Sequence, residues 1–107
     1  MKKREIVKKK TEFDYIINKG KQTKNKFFSI FVVDLKTDED LEPLFGIAIS
    51  KKICNAVYRN KYKRQIRHII DKNKKYFEKN KKYIIMIKKD GAKLLFLEKE
   101  KYLIDLL

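Results

Sequence analysis

The stretch KYIIMIKK, residues 82–89, constrains the fold of this chain more than any other. Charged residues make up 40% of the sequence, yet Tyr83, Ile84, Ile85, Met86 and Ile87 follow one another without a polar position. Successive side chains of a strand point to opposite faces, so such a run is stable only where both faces are covered. It predicts a strand buried on both sides, and the rest of the chain has to supply the cover.

The other segments divide by period and by turn residues. KFFSIFVVDL reads as a strand, rich in β-branched and aromatic residues. Alternation puts Phe28, Ile30 and Val32 on one face and Phe27, Ser29 and Phe31 on the other. KTDEDLEP, with the only proline (Pro43), is a polar turn, and LFGIAIS is a second strand, so 27–50 reads as an antiparallel hairpin. Lys21–Lys26 adds a short polar edge strand. TEFDYIINKG reads as a short helix with Thr11 as N-cap, Glu12 and Asp14 in its first turn, and Gly20 as its stop. Its apolar residues Phe13, Ile16 and Ile17 share one side. A second helix runs from Asn55 to about Lys75. Gly91 breaks the chain after the apolar strand, and LLFLEKEKYLIDLL (94–107) closes it as an amphipathic helix. The order α-β-β-β-α-β-α is an α+β fold, a two-layer sandwich around one sheet. At 107 residues it is one domain, preceded by a flexible basic arm, MKKREIVKKK, over 1–10.

Charge then narrows the partners. The net charge is +15, in a chain with seven Phe and six Tyr that is no disordered basic tail. A compact body with that excess calls for a polyanion: nucleic acid first, an anionic membrane surface second. The charged start is not followed by an apolar stretch, as a signal peptide requires, and no run approaches the roughly 20 apolar residues of a spanning helix. A single cysteine, Cys54, leaves no internal disulfide and fits a reducing cytosol. A cytoplasmic, nucleic-acid-associated domain without a membrane partner is the expectation.

Three of the four arginines (Arg59, Arg64, Arg67) fall within NAVYRNKYKRQIR, residues 55–67. On a helix wheel at about 100° per residue, Tyr58, Tyr62, Ile66 and Ile69 share an arc of roughly 80°, the expected core side. Arg59, Lys63 and Arg67 follow at i, i+4, i+8, with Asn60 and Arg64 beside them and small Ala56 leaving the approach open. A solvated face alternates charge sign, yet residues 43–70 hold no Asp or Glu. Unpaired cations on adjacent turns cost helix stability unless an anion compensates. Guanidinium, moreover, makes the bidentate planar contacts that lysine cannot. The band predicts a nucleic-acid contact.

The longer stretch SKKICNAVYRNKYKRQIR resembles the signature of the bacterial ribonuclease P protein family, Ser-Lys-Lys-x-Gly-Asn-Ala-Val-x-Arg-Asn-Arg-x-Lys-Arg-x-x-Arg. Ser50, Lys51, Lys52, Asn55, Ala56, Val57, Arg59, Asn60, Lys63, Arg64 and Arg67 match it. The basic start, EFDYIINKG before the strands, the chain length, and a strand and helix after the motif extend the resemblance over nearly the whole chain. It implies a protein subunit that binds a catalytic RNA, ribonuclease P RNA, and helps it remove the 5′ leader of precursor tRNA, the hydrolysis resting on Mg2+ held by that RNA. It also implies a fold shared with a ribosomal-protein domain, including a left-handed βαβ crossover against the usual right-handed rule.

By the same resemblance, Lys51, Lys52, Asn55, Arg59, Asn60, Lys61, Lys63, Arg64 and Arg67 face RNA. Phe13, Ile17 and Phe31 fall in a cleft between the first helix and the sheet that holds the single-stranded leader. Exposed aromatics near lysines are in any case able to stack on unpaired bases; the plainer alternative is that Phe13 and Phe31 are core. Three positions depart from the family pattern. Cys54 replaces a glycine, so a positive φ there is either unnecessary or strained. Lys61 replaces the middle arginine, and Ile17 stands where a second cleft aromatic is common.

Nothing in the sequence supplies protein-borne catalysis. Asp38, Glu39, Asp40 and Glu42 cluster in a solvated turn without calcium-loop spacing. His68 is lone and reads as a surface residue, Cys54 has no metal-ligand companion, and Gly20, Gly46 and Gly91 are too far apart for a phosphate loop. A ribosomal or other structural RNA-binding protein without a catalytic role is the alternative, and differs in lacking the 50–67 signature. A generic single-strand binder would need a recognition-motif strand or a GxxG clamp, and both are missing.

Overall fold

The structure, a computed structural model, describes residues 10–107. The basic arm expected over 1–10 therefore lies outside the described residues except for Lys10, which belongs to the first helix. The elements are α1 (Lys10–Lys19), β1 (Lys21–Lys24), β2 (Phe28–Asp34), β3 (Leu44–Ile49), α2 (Ala56–Lys72), β4 (Lys81–Ile87), the single turn α3 (Lys89–Ala92) and α4 (Phe96–Ile104). A 3-10 turn, Lys74–Tyr76, follows α2. The α+β order and the polar edge strand are as expected. Thr11, however, lies inside α1 rather than capping it.

The pairing of β2 and β3 is not. The sheet order is β1-β2-β4-β3, so β4 lies between the two strands that were expected to form a hairpin. β2 runs antiparallel to β4, pairing Phe31 with Ile84. β3 runs parallel to β4, pairing Phe45 with Tyr83, so β3-α2-β4 is a βαβ unit. The reason lies in the apolar run at residues 83–87: as the most apolar segment, β4 gains most from strand neighbours on both edges as well as cover on both faces. The 35–43 loop then has to cross the end of the sheet, and Asn80 holds it there. Asn80, at φ 60°, is the only non-glycine with positive φ among the described residues. Its carbonyl accepts from Leu35 N at 2.8 Å, its amide donates to Leu41 O at 2.8 Å, and its side-chain oxygen accepts from Leu41 N at 2.7 Å. Asparagine tolerates the left-handed region better than most residues, because its short side chain bonds locally.

The two faces of the sheet are covered by different helices. Tyr83, Ile85 and Ile87 join Phe28, Ile30 and Phe45 beneath α2 and α4, which contribute Ile66, Ile69, Ile70 and Leu103. Ile84 and Met86 join Phe31 on the other face beneath α1, which contributes Phe13, Ile16 and Ile17.

Phe27 departs from the expected alternation. It packs in the α2/α4 cluster with its ring 4.5 Å from that of Tyr102, away from Phe31. Asn25 explains this, because its side-chain oxygen accepts from both Phe27 N and Phe28 N at 2.8 Å. The chain turns there, and strand alternation begins only at Phe28.

Gly91 does more than end a strand. It is buried in α3, and a Cβ at this position would run into the Phe27 carbonyl oxygen, itself bonded to Lys88 N at 3.0 Å. Gly91→Ala is expected to destabilise the protein by about 1–3 kcal/mol, the range for forcing atoms into a packed site. A lower urea midpoint at unchanged m-value is the expected readout, and an unchanged midpoint would contradict it.

Candidate nucleic-acid interface

The site begins where β3 ends. Ser50 organises the turn that follows, with its hydroxyl accepting from Lys52 N at 3.2 Å and its carbonyl from Ile53 N at 3.1 Å. Asn55 then caps α2, its side-chain oxygen accepting from Tyr58 N at 3.1 Å. Its side-chain oxygen thus serves the helix start. Cys54 keeps an ordinary negative φ, so the glycine of the resembling pattern is not needed for backbone freedom here.

On α2 the buried stripe is Ile66, Ile69 and Ile70. Ile70 draws that stripe round the helix toward Arg59 and away from Tyr58, which changes two expectations. Tyr58 is 49% exposed rather than core, because the first turn of α2 extends past the packed cluster. Arg59 is half-buried and donates from Nη1 to the Cys54 carbonyl at 3.0 Å, so its guanidinium fastens the 50–54 turn to the helix. The remaining members of the band do come together. Asn60, Lys63, Arg64 and Arg67 line one groove with Val57. Lys51, Lys52 and Lys61 are exposed outside it.

No carboxylate among the described residues pairs with Lys63, Arg64 or Arg67; the ion pairs lie elsewhere. Lys79 holds Asp40 at 3.0 Å and Glu42 at 3.9 Å. Lys81 holds Glu78 at 2.9 Å and Asp34 at 3.4 Å. Part of the acidic loop that sequence reads as a solvated tip is thus tied to the 78–81 segment. Among the described residues no cluster of three or more His, Cys, Asp or Glu could hold a metal ion. His68 is exposed, as expected.

One charged residue escaped the sequence reading. Lys99 on α4 is 1% exposed. Its Nζ donates to Gln65 Oε1 at 2.6 Å and sits 4.0 Å from the centroid of the Tyr62 ring. Burial, followed by the nearby charge of Lys61, lowers its pKa to about 8, against a smaller opposing effect of Cys54. The signal was present: Phe96, Lys99 and Leu103 fall at i, i+3, i+7 on the apolar side of the last helix.

The three cleft residues also gather, on the α1 face. Phe31 is 8% exposed and forms the floor with Ile16 and Ile84, while Phe13 and Ile17 are half-buried at the rim. Gly46 makes room for this packing, since a Cβ there would lie 2.6 Å from both Phe13 Cζ and Ile84 Cδ1. Beside the cleft is a pocket that sequence did not anticipate, lined by Glu12, Tyr15, Asp34 and Lys82 among others.

Fold and face together define a small, strongly basic α+β protein whose second helix presents Lys63, Arg64 and Arg67 with no carboxylate partner among the described residues. The chain matches the family model for ribonuclease P over residues 1–107. It is 38% identical over 106 residues to the ribonuclease P protein component of Bacillus cereus (strain AH187), covering 97% of this chain and 89% of the relative. It is 37% identical to that of Bacillus pumilus, covering 96% and 85%. Among solved structures, the Staphylococcus aureus RNase P protein superposes with a TM-score of 0.84 at 29% identity over 95% of this chain and 91% of that one. The Thermotoga maritima RNase P protein gives 0.85 at 26% identity over 97% and 96%. The chain belongs to the ribonuclease P protein family, the protein component of an endoribonuclease of tRNA processing. No helix among the described residues is long and apolar enough to cross a membrane.

Lys99 generates a prediction about stability. Below about pH 8 the lysine is protonated whether folded or unfolded, and the burial penalty is fully present. Between about 8 and 10.5 the unfolded chain holds a proton that the folded chain has released, so stability rises with pH in that window. Lys99→Met is expected to remove that rise, seen as the difference between wild-type and variant urea midpoints across the window. Parallel curves would contradict it.

Proposed function

We propose that this chain is the RNA-binding protein subunit of ribonuclease P, acting as one domain in the cytoplasm. In this reading the α2 groove seats on ribonuclease P RNA near the 5′ end of bound precursor tRNA, and the cleft under α1 receives the single-stranded leader. The observation that carries it is the alignment of Asn60, Lys63, Arg64 and Arg67 along one groove with no carboxylate partner among the described residues, in a chain of this family. Phosphate oxygens are the compensation such a face lacks, and arginine meets them bidentately. Lys51, Lys52 and Lys61 extend the positive field around the groove. Arg59 and Asn55 contribute by holding the turn and starting the helix.

In the cleft, the half-buried edge of Phe13 and the side chain of Ile17 offer an apolar wall for unpaired leader bases, while Phe31 supports it from below. The chemistry belongs to the RNA in this reading, with magnesium on the RNA supplying charge stabilisation and an activated water at the scissile phosphodiester. Four of the protein's acids, Asp34, Asp40, Glu42 and Glu78, are engaged by Lys79 and Lys81.

With precursor tRNA and magnesium, the protein alone is expected to be inert, and adding ribonuclease P RNA at low salt to give cleavage at the mature 5′ end. Cleavage by the protein alone would overturn the proposal. Arg64→Ala is expected to weaken assembly with the RNA by roughly tenfold, corresponding to about 1–2 kcal/mol for a charge-assisted contact. It should also make the dependence of log affinity on log salt shallower by about one unit. Equal affinity and slope in variant and wild type would refute a phosphate contact at this position.

A further inference from the structure

Tyr58 lies on the edge of α2 away from the cationic groove, and the core does not account for it. The residue is 49% exposed, and the adjacent Val57 is 74% exposed. It is nonetheless held in place: it stacks on Tyr62 with ring centroids 6.1 Å apart and planes 28° from parallel. Tyr62 in turn is fixed from inside by Lys99, whose Nζ stands 4.0 Å from its ring centroid.

Exposed tyrosines are common, so the comparison with the others matters. Tyr76, 48% exposed, already carries Lys75 at 5.2 Å over its ring. Tyr15, 58% exposed, lines a pocket with Glu12, Asp34 and Lys82, where the one lysine is already held by Glu12 at 3.4 Å. Tyr58 instead has an aromatic ring behind it, the exposed Lys61 one turn along the helix, and no acid anywhere in residues 43–70.

We propose that Tyr58 is a stacking seat for an unpaired nucleobase of a bound RNA, with the phosphate of that nucleotide drawn toward Lys61. An unpaired nucleotide uses both parts of the arrangement: its base has a π-face for the open ring, and its phosphate answers the surrounding cations. A purely apolar partner would leave the charge unused, and a duplex would offer no free base face. The proposal rests on the RNA-binding reading above and adds to it a contact that is not electrostatic.

The test separates the two by salt dependence. Affinities of wild type, Tyr58→Ala, Tyr58→Phe and Arg64→Ala are measured over a salt series with ribonuclease P RNA and with a single-stranded adenosine dodecamer. Tyr58→Ala is expected to lose about tenfold in affinity for both RNAs at unchanged salt slope, and Tyr58→Phe to retain wild-type binding. The chain has no tryptophan, so Tyr58→Trp adds a unique fluorophore, whose emission the dodecamer is expected to quench and a duplex of the same length is not. Tyr58→Ala binding like wild type while Arg64→Ala loses affinity would overturn the stacking seat alone. A loss in Tyr58→Ala accompanied by a shallower slope would overturn it too, as the sign of lost phosphate contacts. A wild-type chain that binds neither RNA would overturn the RNA reading and the seat together.

Discussion

Insertion of β4 between β2 and β3 is the constraint on which the rest of the molecule depends. Its five consecutive apolar residues pair on both edges and are covered on both faces. Because β3 must then run parallel to β4, the connection between them has to return along the sheet, and α2 is that connection. The start of α2 is therefore fixed at the end of β3, where the Ser50 turn delivers Lys51, Lys52 and the Asn55 cap. The cationic face and the buried strand follow from one topological choice. The same insertion forces the long β2–β3 loop across the far end of the sheet, where Asn80 and the Lys79 and Lys81 ion pairs anchor it.

A helix whose only acid, Asp71, stands in its last turn is a costly one to build, since cations on its earlier turns repel one another. Its stability has to come from elsewhere. Ile66, Ile69 and Ile70 are fully buried, and burying such side chains contributes about 1.5–3 kcal/mol each. Asn55 supplies a cap worth about 1 kcal/mol, and Arg59 trades its place on the charged face for a bond to the Cys54 carbonyl. Lys99 adds to the burden rather than relieving it, because it brings a further buried cation against Tyr62 without a carboxylate among the described residues.

Sequence disclosed the elements and the cationic helix, because both are written in local periodicity: apolar positions at i, i+3, i+4 and charges at i+4 steps. It misjudged what depends on distant partners. Nothing local to 27–50 says that a strand from residues 81–87 will separate its two halves. Nothing in KFFSIFVVDL shows that Asn25 will bend the chain before Phe28. The placing of Tyr58 and Arg59 turned on Ile70, one residue beyond the stripe first drawn, whose burial shifts the core side of α2 by part of a turn. Lys99 was missed because its charge outweighed its position: spacing alone assigns it to the apolar side. Of the cleft residues, sequence grouped Phe13, Ile17 and Phe31, and they do meet, but only packing distinguishes the buried floor at Phe31 from the half-open rim.

The placement of acids completes the electrostatic argument. Asp34, Asp40, Glu42 and Glu78 gather with Lys79 and Lys81 where β2 ends and β4 begins, at the opposite end of the sheet from the start of α2. The cations Lys51, Lys52 and Lys61, without a carboxylate partner among the described residues, stand around the α2 N-terminus, where the aligned peptide dipoles add roughly half a positive charge. Charge along α2 is therefore graded, with no acid in its first turn and Asp71 in its last. A polyanion approaching this molecule meets attraction at one end of the sheet and ion pairs with little remaining field at the other. That gradient orients the protein before any specific contact forms, and over a Debye length of about 8–10 Å at ordinary salt it acts only on an anion already near the helix. Charge gathered this way favours a correctly oriented encounter more than overall tightness. In the proposed function, the shaped parts of the surface, the groove at Arg64 and the cleft at Phe13, are then left to supply the contacts that hold one RNA better than another.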